Sequence, residues 1–172
     1  MTYQVDALAE DDWAVLRSIR LEALADAPTA FGSTLATEQE FSEERWRERA
    51  GGSAGARFFV AWRNDAAVGI AGVFDESDGT AQMVSVWVHP QHRGRGVASQ
   101  LTSAALRFAA AQGFAIIRLW VTDGNVIART LYERLGFTLT GKREPLPSHP
   151  SLDEHELQLV LTGDAHASAL EE

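Results

Sequence analysis

The chain has 172 residues, of which 45% are hydrophobic, and it contains no cysteine. This length allows one domain with a sizeable core, and the lack of cysteine excludes disulfides and a cysteine-bound acyl intermediate. The formal net charge of −9 argues against nucleic acid as a partner, because phosphates attract basic surfaces. No apolar run is long enough to span a bilayer, and residues 1–20 lack the pattern of a secretory signal, so the expected location is the cytoplasm.

The N-terminal part of the chain is predicted to form one strand and two helices. Residues 2–8 have a strand-like alternation of side chains. Acidic residues from Glu10 onward favour a helix start, and this first helix is predicted to run to Ala27, where Pro28 ends it. A second helix is predicted to begin after Ser42, whose hydroxyl suits an N-cap.

The middle and C-terminal parts alternate between strand and helix patterns. Strands are predicted over 57–62, 68–74, up to Val88, 115–121, 137–140 and 154–161, and helices from Val97 and over 126–135. Three of the five prolines lie in residues 142–152, which predicts a loop there. This order indicates a mixed sheet with helices on both faces. Residues 1–163 are predicted to form the domain, and residues 164–172 a frayed tail.

A glycine-rich segment links the strand that ends at Val88 to the following helix. Its sequence after Pro90 is Gln91-His92-Arg93-Gly94-Arg95-Gly96. The first amides of a helix have no partners within it, and their dipole favours negative charge. Glycine lets a phosphate approach the main chain, because no Cβ lies in the way. The segment therefore predicts a pyrophosphate site, but it is neither a P-loop nor a dinucleotide-binding fingerprint.

A second block follows at the spacing of one helix and one strand. It reads Asn125-x-x-Ala128-x-x-Leu131-Tyr132-Glu133-x-x-Gly136-Phe137. Together the two blocks resemble those of the GCN5-related N-acetyltransferase (GNAT) superfamily, and the resemblance covers nearly the whole domain. It implies an α/β (mixed α+β) fold with a central mixed sheet of about seven strands flanked by about four helices. It also implies that the strands ending near Val88 and Val121 splay apart to form a cofactor cleft.

The resemblance implies an enzyme that uses acetyl-CoA, and it assigns residues to the cofactor. The pyrophosphate would contact residues of the loop and of the first helical turn, namely Gln91, Arg93, Gly94, Arg95, Gly96, Val97, Ala98 and Ser99. The pantetheine arm would pair with the main chain of Val86, Trp87 and Val88, and an amide near Val88 would polarise the thioester carbonyl. The alternative for Arg93 and Arg95 is that their long side chains point into solvent.

Two residues of the second block are candidates for the chemistry. Tyr132 matches the usual general acid of the family, because a phenol can protonate a departing thiolate; on spacing alone, a core tyrosine on an amphipathic helix is favoured. Asn125 matches a position that contacts the pantetheine or the sulfur, and it also suits an N-cap. The two roles of Asn125 are compatible.

The acceptor and the general base are less well defined by the sequence. Residues 22–46 combine aromatic and acidic side chains, which would suit a small cationic primary amine, although the same residues could simply connect two helices. By type alone, the candidate bases are Glu22, Glu38, Glu40 and Asp123. The alternatives to a small-molecule enzyme are a protein or peptide N-acetyltransferase and a non-catalytic acyl-CoA sensor. No metal site is predicted, and no feature decides between a monomer and a homodimer.

Overall fold

The computed structural model describes residues 2–53 and 55–161, which form seven strands and five α-helices. The strands are β1 (Gln4–Ala7), β2 (Ala56–Arg63), β3 (Ala66–Asp75), β4 (Thr80–Val88), β5 (Ile116–Thr122), β6 (Thr138–Leu146) and β7 (His149–Val160). The helices are α1 (Trp13–Asp26), α2 (Leu35–Gln39), α3 (Glu43–Gly51), α4 (Val97–Ala111) and α5 (Val126–Arg134). The predicted tail, residues 164–172, lies outside the described residues.

All seven strands form one sheet in the order β1-β2-β3-β4-β5-β7-β6. Every neighbouring pair is antiparallel except β4 and β5, which run parallel with α4 as the connection between them. The mixed sheet that the alternation of strands and helices predicted is thus confirmed.

The helices cover both faces of the sheet, and each face has its own core. Val97 and Leu101 of α4 belong to one core together with Val68 of β3, whereas Trp46 of α3 belongs to the other with Ile70 of β3. Side chains two apart on a regular strand share a face. Val68 and Ile70 nevertheless serve opposite cores, because Ala61 of β2 pairs with Gly69 and Trp62 pairs with Ala67, which leaves Val68 as an extra, bulged residue on β3. Among the described helices, none is long and apolar enough to cross a membrane; the cytoplasmic location stays a prediction.

The prediction of a loop over residues 142–152 was wrong. β6 continues to Leu146 and β7 begins at His149, so the two strands form a long hairpin with a tight turn. The prolines are tolerated because Pro145 lies on the edge strand β6, and Pro150 precedes the part of β7 that pairs with β5. A proline on an edge leaves no ladder hydrogen bond unmade.

The helix α2 lies in a segment that the sequence patterns left as a connection, and it brings the count to five where about four were predicted. It is short, and its start is fixed by the hydroxyl of Thr34, which accepts a hydrogen bond from the Thr37 amide at 3.2 Å. Such a cap supplies a partner for an otherwise unpaired amide of the first turn. Its five residues are too few to show a helical periodicity in the sequence.

Candidate active site

β4 and β5 separate soon after they meet, which opens a gap in the middle of the sheet. Their pairing is confined to Thr80–Gln82 of β4 and Ile116–Arg118 of β5. Beyond it β4 contains a bulge, where Ser85 has a positive φ of 61°. The splayed cleft that the resemblance implied is thus present.

The main chain at the end of β4 faces this gap. Trp87 lies opposite Ile70 of β3, and the amide of His89 donates to the carbonyl of Val68 at 2.9 Å. Because hydrogen-bonded and non-hydrogen-bonded pairs alternate in an antiparallel ladder, the N–H and C=O of Val88 point away from β3. The side chains of Val86 and Val88 pack toward α4 and α5, whereas the indole of Trp87 packs on the opposite face.

The glycine-rich loop places open main chain next to the gap. Gly94 and Gly96 have φ values of +71° and +79°, which favour glycine, and no atom lies within 4 Å of the position that a Cβ would take at either residue. The first bond of α4 is donated by the Gln100 amide to the Gly96 carbonyl at 3.1 Å. The amides that find no acceptor among the described residues are those of Gly94, Gly96, Val97, Ala98 and Ser99. A row of free donors under open space at a helix N-terminus fits a diphosphate.

The side chain of Arg93 ties this loop to the rest of the protein. Its Nε donates to the carbonyl of Val88 at 2.9 Å, and its guanidinium pairs with the carboxylate of Asp26 at the end of α1. The indole of Trp87 donates to the same carboxylate at 2.9 Å. That hydrogen bond, together with Arg93, lowers the pKa of Asp26. Nε and one terminal nitrogen of Arg93 are therefore bonded within the protein. A contact between its other terminal nitrogen and a phosphate stays a prediction.

The other predicted loop residues border the same opening. Gln91 lies in a short 3-10 turn just before the loop, where its main-chain N–H donates to Nδ1 of His89 at 3.2 Å. The side chain of Arg95 is exposed at the loop, so it places positive charge beside the free amides. Val97 is buried in the core and Ser99 is exposed, so α4 is anchored while its first turn stays accessible.

Helix α5 carries both candidates for the chemistry. Asn125 caps the helix, since its Oδ1 accepts from the Ala128 amide at 3.2 Å, which confirms the predicted N-cap. Tyr132 is only 6% exposed and packs edge-on against Phe137, with ring centroids 5.8 Å apart. Its hydroxyl has no hydrogen-bond partner among the described residues. Burial raises the pKa of Tyr132 well above the usual value of a phenol, so the group stays protonated and able to donate.

On the opposite face, a cavity of about 1150 Å³ opens onto the gap. The segment from Ala30 to Arg49 forms one wall, and the β6–β7 hairpin forms another through Glu144, Pro147 and Glu154. Ser85 of β4 and Trp120 of β5 lie where the two strands diverge. The cavity therefore reaches the gap from the face that lies away from α4 and α5.

The comparison with known families agrees with this geometry. The model of the Acetyltransferase (GNAT) family matches residues 13–137, which include both sequence blocks. This chain belongs to the GNAT acetyltransferase family.

Individual relatives match this chain in sequence, and solved structures match it in fold. A mycothiol acetyltransferase from Thermobispora bispora is 32% identical over 135 residues, which is 75% of this chain but only 43% of that relative. The yncA structure from Salmonella typhimurium, solved with its cofactor acetyl-CoA, has a TM-score of 0.75 at 23% identity and covers 96% of this chain and 97% of its own. The PaiA N-acetyltransferase from Thermoplasma acidophilum, in complex with coenzyme A, has a TM-score of 0.73 at 14% identity and covers 93% of this chain and 99% of its own.

The cavity of this GNAT chain contains a buried ion cluster that no sequence pattern predicted. Arg20 and Glu38 pair at 2.8 Å, and Arg49 reaches the same carboxylate at 3.1 Å. Burial acts to raise the pKa of Glu38, but Arg20 and Arg49 outweigh it, and the net shift is downward. An anion held by two guanidiniums is a weak proton acceptor, so Glu38 does not suit the role of base.

The other three candidate bases lie away from the described cavity wall. Glu22 is near the ring of His89 at 3.3 Å, Glu40 is exposed, and Asp123 lies 3.8 Å from His155. Their residue type alone suggested them, and their positions do not support the role.

A different carboxylate, Glu154, suits the role of base better than the four candidates. It is 8% exposed and lines the cavity, opposite Thr122 of β5 and Glu144 of β6. Burial, with a smaller contribution from the charge of Glu144, raises the pKa of Glu154 to about 7. The sequence carried one signal of it, since Glu154 and Glu156 alternate with other residues in a predicted strand that should be largely buried.

Proposed function

We propose that this chain is an acetyl-CoA-dependent N-acetyltransferase that transfers the acetyl group directly to a primary amine of a small molecule. One observation carries the proposal: the free amides of the α4 N-terminus lie under open space beside the split between β4 and β5. An anionic cofactor bound there would extend along the exposed edge of β4. Membership of the GNAT family supports this assignment.

The residues at the gap can each serve one part of the reaction. The loop amides from Gly94 to Ser99 would hold the diphosphate, and the edge of β4 from Val86 to Val88 would pair with the pantetheine arm. The Val88 N–H, which faces the gap, would stabilise the negative charge that develops on the carbonyl oxygen. Tyr132 would donate a proton to the departing sulfur. Asn125, which caps α5, would contact the pantetheine or the sulfur.

The shape of the cavity favours a small acceptor. Residues 30–49 and the β6–β7 hairpin border it on two sides, and a cavity walled on two sides suits a compact acceptor better than a continuous peptide. Its volume of about 1150 Å³ is near the range of small-molecule sites. Glu144 and Glu154 in its wall favour a cationic amine.

The experiment combines binding with turnover. Titration calorimetry should detect acetyl-CoA, and the release of free CoA should be measured with a panel of primary amines and, in parallel, with lysine-containing and N-terminal peptides. We expect binding, and turnover with small amines that exceeds turnover with peptides. Preference for peptides would contradict the acceptor class, tight binding with no transfer would indicate a sensor, and no binding would refute the proposal.

A further inference from the structure

We propose that Glu154 is the general base of this site, the group that removes a proton from the acceptor's ammonium nitrogen. This inference rests on the proposed N-acetyltransferase function and names the residue that the sequence left open. It is carried by the position of the Glu154 carboxylate, which lines the cavity one strand beyond the gap between β4 and β5 and has no side-chain partner among the described residues.

Strand register places Glu154 at the open end of the gap. It lies directly opposite Thr122, the last residue of β5. Directly opposed residues of an antiparallel pair project from the same face. The Thr122 hydroxyl donates to the carbonyl of Thr29 at 2.8 Å, on the face that the segment following α1 covers. Glu154 therefore points to that face, where the cavity lies.

The same register relates Glu154 to the proposed thioester position. Gln82 of β4 is level with Arg118 of β5. Continuing along the two parallel strands brings Thr122 level with the bulged part of β4 near Val86. Glu154 thus lies one strand beyond the gap from the main chain at Val86 and Val88. An amine in the cavity could contact Glu154 while its nitrogen approaches a carbonyl carbon held at β4.

Its lack of partners distinguishes Glu154 from the other buried carboxylates of the cavity. Glu38 is held by Arg20 and Arg49, and Glu156 accepts from the Thr140 hydroxyl at 2.9 Å. The Glu154 carboxylate makes no hydrogen bond or ion pair with any described residue, although Glu154 is only 8% exposed. Among the described residues, Trp46 Nε1 is the one fully buried side-chain polar atom without a partner, so the Glu154 oxygens are accessible from the cavity. A substrate ammonium in the cavity would supply the donor that the protein does not.

The charges around Glu154 keep it available as a base. Glu144 faces it from β6 and Glu156 follows it on β7, while Thr122 of β5 and the turn at 28–30 bring no charge.

The cations of the same cavity wall are Arg20, Arg45, Arg49, Arg118 and Lys142. Of these, Arg20 and Arg49 contact Glu38, Arg118 lies near Glu76, and Lys142 lies 4.0 Å from both Glu144 and Glu156. With a pKa of about 7, Glu154 can both accept and release a proton near neutral pH.

The reaction converts R–NH3+ and acetyl-S-CoA into the acetylated amine, CoA-SH and one released proton. The Glu154 carboxylate takes one proton from R–NH3+, and the nitrogen lone pair then forms a bond to the carbonyl carbon. When the C–S bond breaks, the sulfur takes the electron pair and a proton from Tyr132, and the nitrogen loses its second proton, which restores Tyr132 through solvent. The products are R–NH–acetyl and CoA-SH, and Glu154 releases its proton to water.

The test compares Glu154→Gln with Asp153→Asn, a neighbouring change on the opposite face of β7, where Asp153 pairs with Arg143. We expect the wild-type kcat to decrease as the pH drops below about 7. In E154Q, kcat at neutral pH should fall by roughly 10²- to 10⁴-fold, the usual range for a general base. The decrease of kcat below pH 7 should disappear, and kcat should instead rise with pH as the free amine loses its proton. The Kd for acetyl-CoA should not change, and D153N should behave as wild type.

An amine of low pKa provides a rescue, because it is already neutral at pH 7 and should lose much less rate in E154Q. An E154Q enzyme that keeps both the wild-type kcat and its decrease below pH 7 would overturn the proposal while leaving the acetyltransferase function intact. A uniform loss for amines of high and low pKa would assign Glu154 to packing instead. Carbon-13 NMR of the Glu154 carboxyl gives a readout independent of turnover, and titration near pH 4 would also overturn the proposal. Failure of the function itself would show in the wild type, as no acetyl-CoA binding.

Discussion

Arg93, in the glycine-rich loop, pairs with Asp26, the last residue of α1. The same guanidinium donates to the Val88 carbonyl, and the Asp26 carboxylate also accepts from Trp87. The loop is thus fixed to the end of β4 and to the helix on the far face of the sheet. The free amides of the loop keep one geometry because Asp26 and Trp87, which lie outside the motif, hold Arg93 in place.

Asp26→Asn tests this arrangement. The amide keeps a carbonyl acceptor for Trp87 but loses the charge that attracts Arg93, an interaction worth about 1 kcal/mol at a partly exposed pair. We expect a similar loss of unfolding free energy and roughly a fivefold weaker Kd for acetyl-CoA, with kcat at saturation little changed. Calorimetry and chemical denaturation measure both effects. Glu43→Gln removes an exposed partner of Arg47 on α3 and serves as the control, with no effect on the Kd.

Gly96→Ala tests whether the loop surface receives the cofactor. A side chain at φ +79° destabilises the fold, by about 1–2 kcal/mol. Gly113 has φ +84° with equally open surroundings, but it follows α4 at the other end. G96A and G113A should therefore lose similar stability, whereas only G96A should weaken acetyl-CoA binding, by roughly tenfold or more. Equal affinities in the two variants would remove the loop from the binding site.

The parts of the site that sequence could predict are those set by local chemistry. Glycines at positive φ and a helix start with free amides follow from residue type and order, which is why the loop and α4 were found. Asn125 as a cap follows in the same way. The resemblance then supplied the splay between β4 and β5, which no periodicity shows.

The parts that sequence missed depend on long-range register. Glu154 is informative only because Thr122 and Glu144 lie opposite it, and those pairings join distant parts of the chain. The prolines of the β6–β7 hairpin predicted a loop because their effect depends on whether a strand lies at an edge, which the sheet order decides. Arg20 and Glu38 meet across two helices, and nothing in their local sequence pairs them.

Tyr132→Phe tests the proton donor. The change removes only the hydroxyl, which has no partner among the described residues, so the fold should lose little stability. We expect kcat to fall by roughly 10- to 10³-fold while the Kd for acetyl-CoA stays the same. Steady-state kinetics and calorimetry separate the two effects. An unchanged kcat would leave Tyr132 as a core residue, packed against Phe137.

Glu38→Ala should be strongly destabilising. It leaves Arg20 and Arg49 without their shared carboxylate, and an uncompensated buried charge costs about 3–5 kcal/mol. Glu40→Ala, two residues away and exposed, should change the free energy of unfolding by less than about 0.5 kcal/mol. Because the pKa of Glu38 is lowered in the folded state, its contribution is present above the pKa of the unfolded chain and is lost as pH falls. Urea denaturation at pH 7 compares the two variants, and similar losses would refute the cluster's role.

Glu154→Gln should stabilise the fold at alkaline pH. The pKa of Glu154 is raised from 4.5 to about 7, so folding favours the protonated carboxyl. Below about pH 4.5 the group is protonated in both states and has no effect. As pH rises toward 7 the unfolded chain ionises first, and the wild type loses stability, by about 1–2 kcal/mol after allowance for screening by cavity water. Glutamine cannot ionise, so the stability difference between E154Q and wild type should increase by that amount from pH 4.5 to pH 8. Denaturation at the two pH values measures it, and an equal difference at both would show that the buried carboxyl titrates normally.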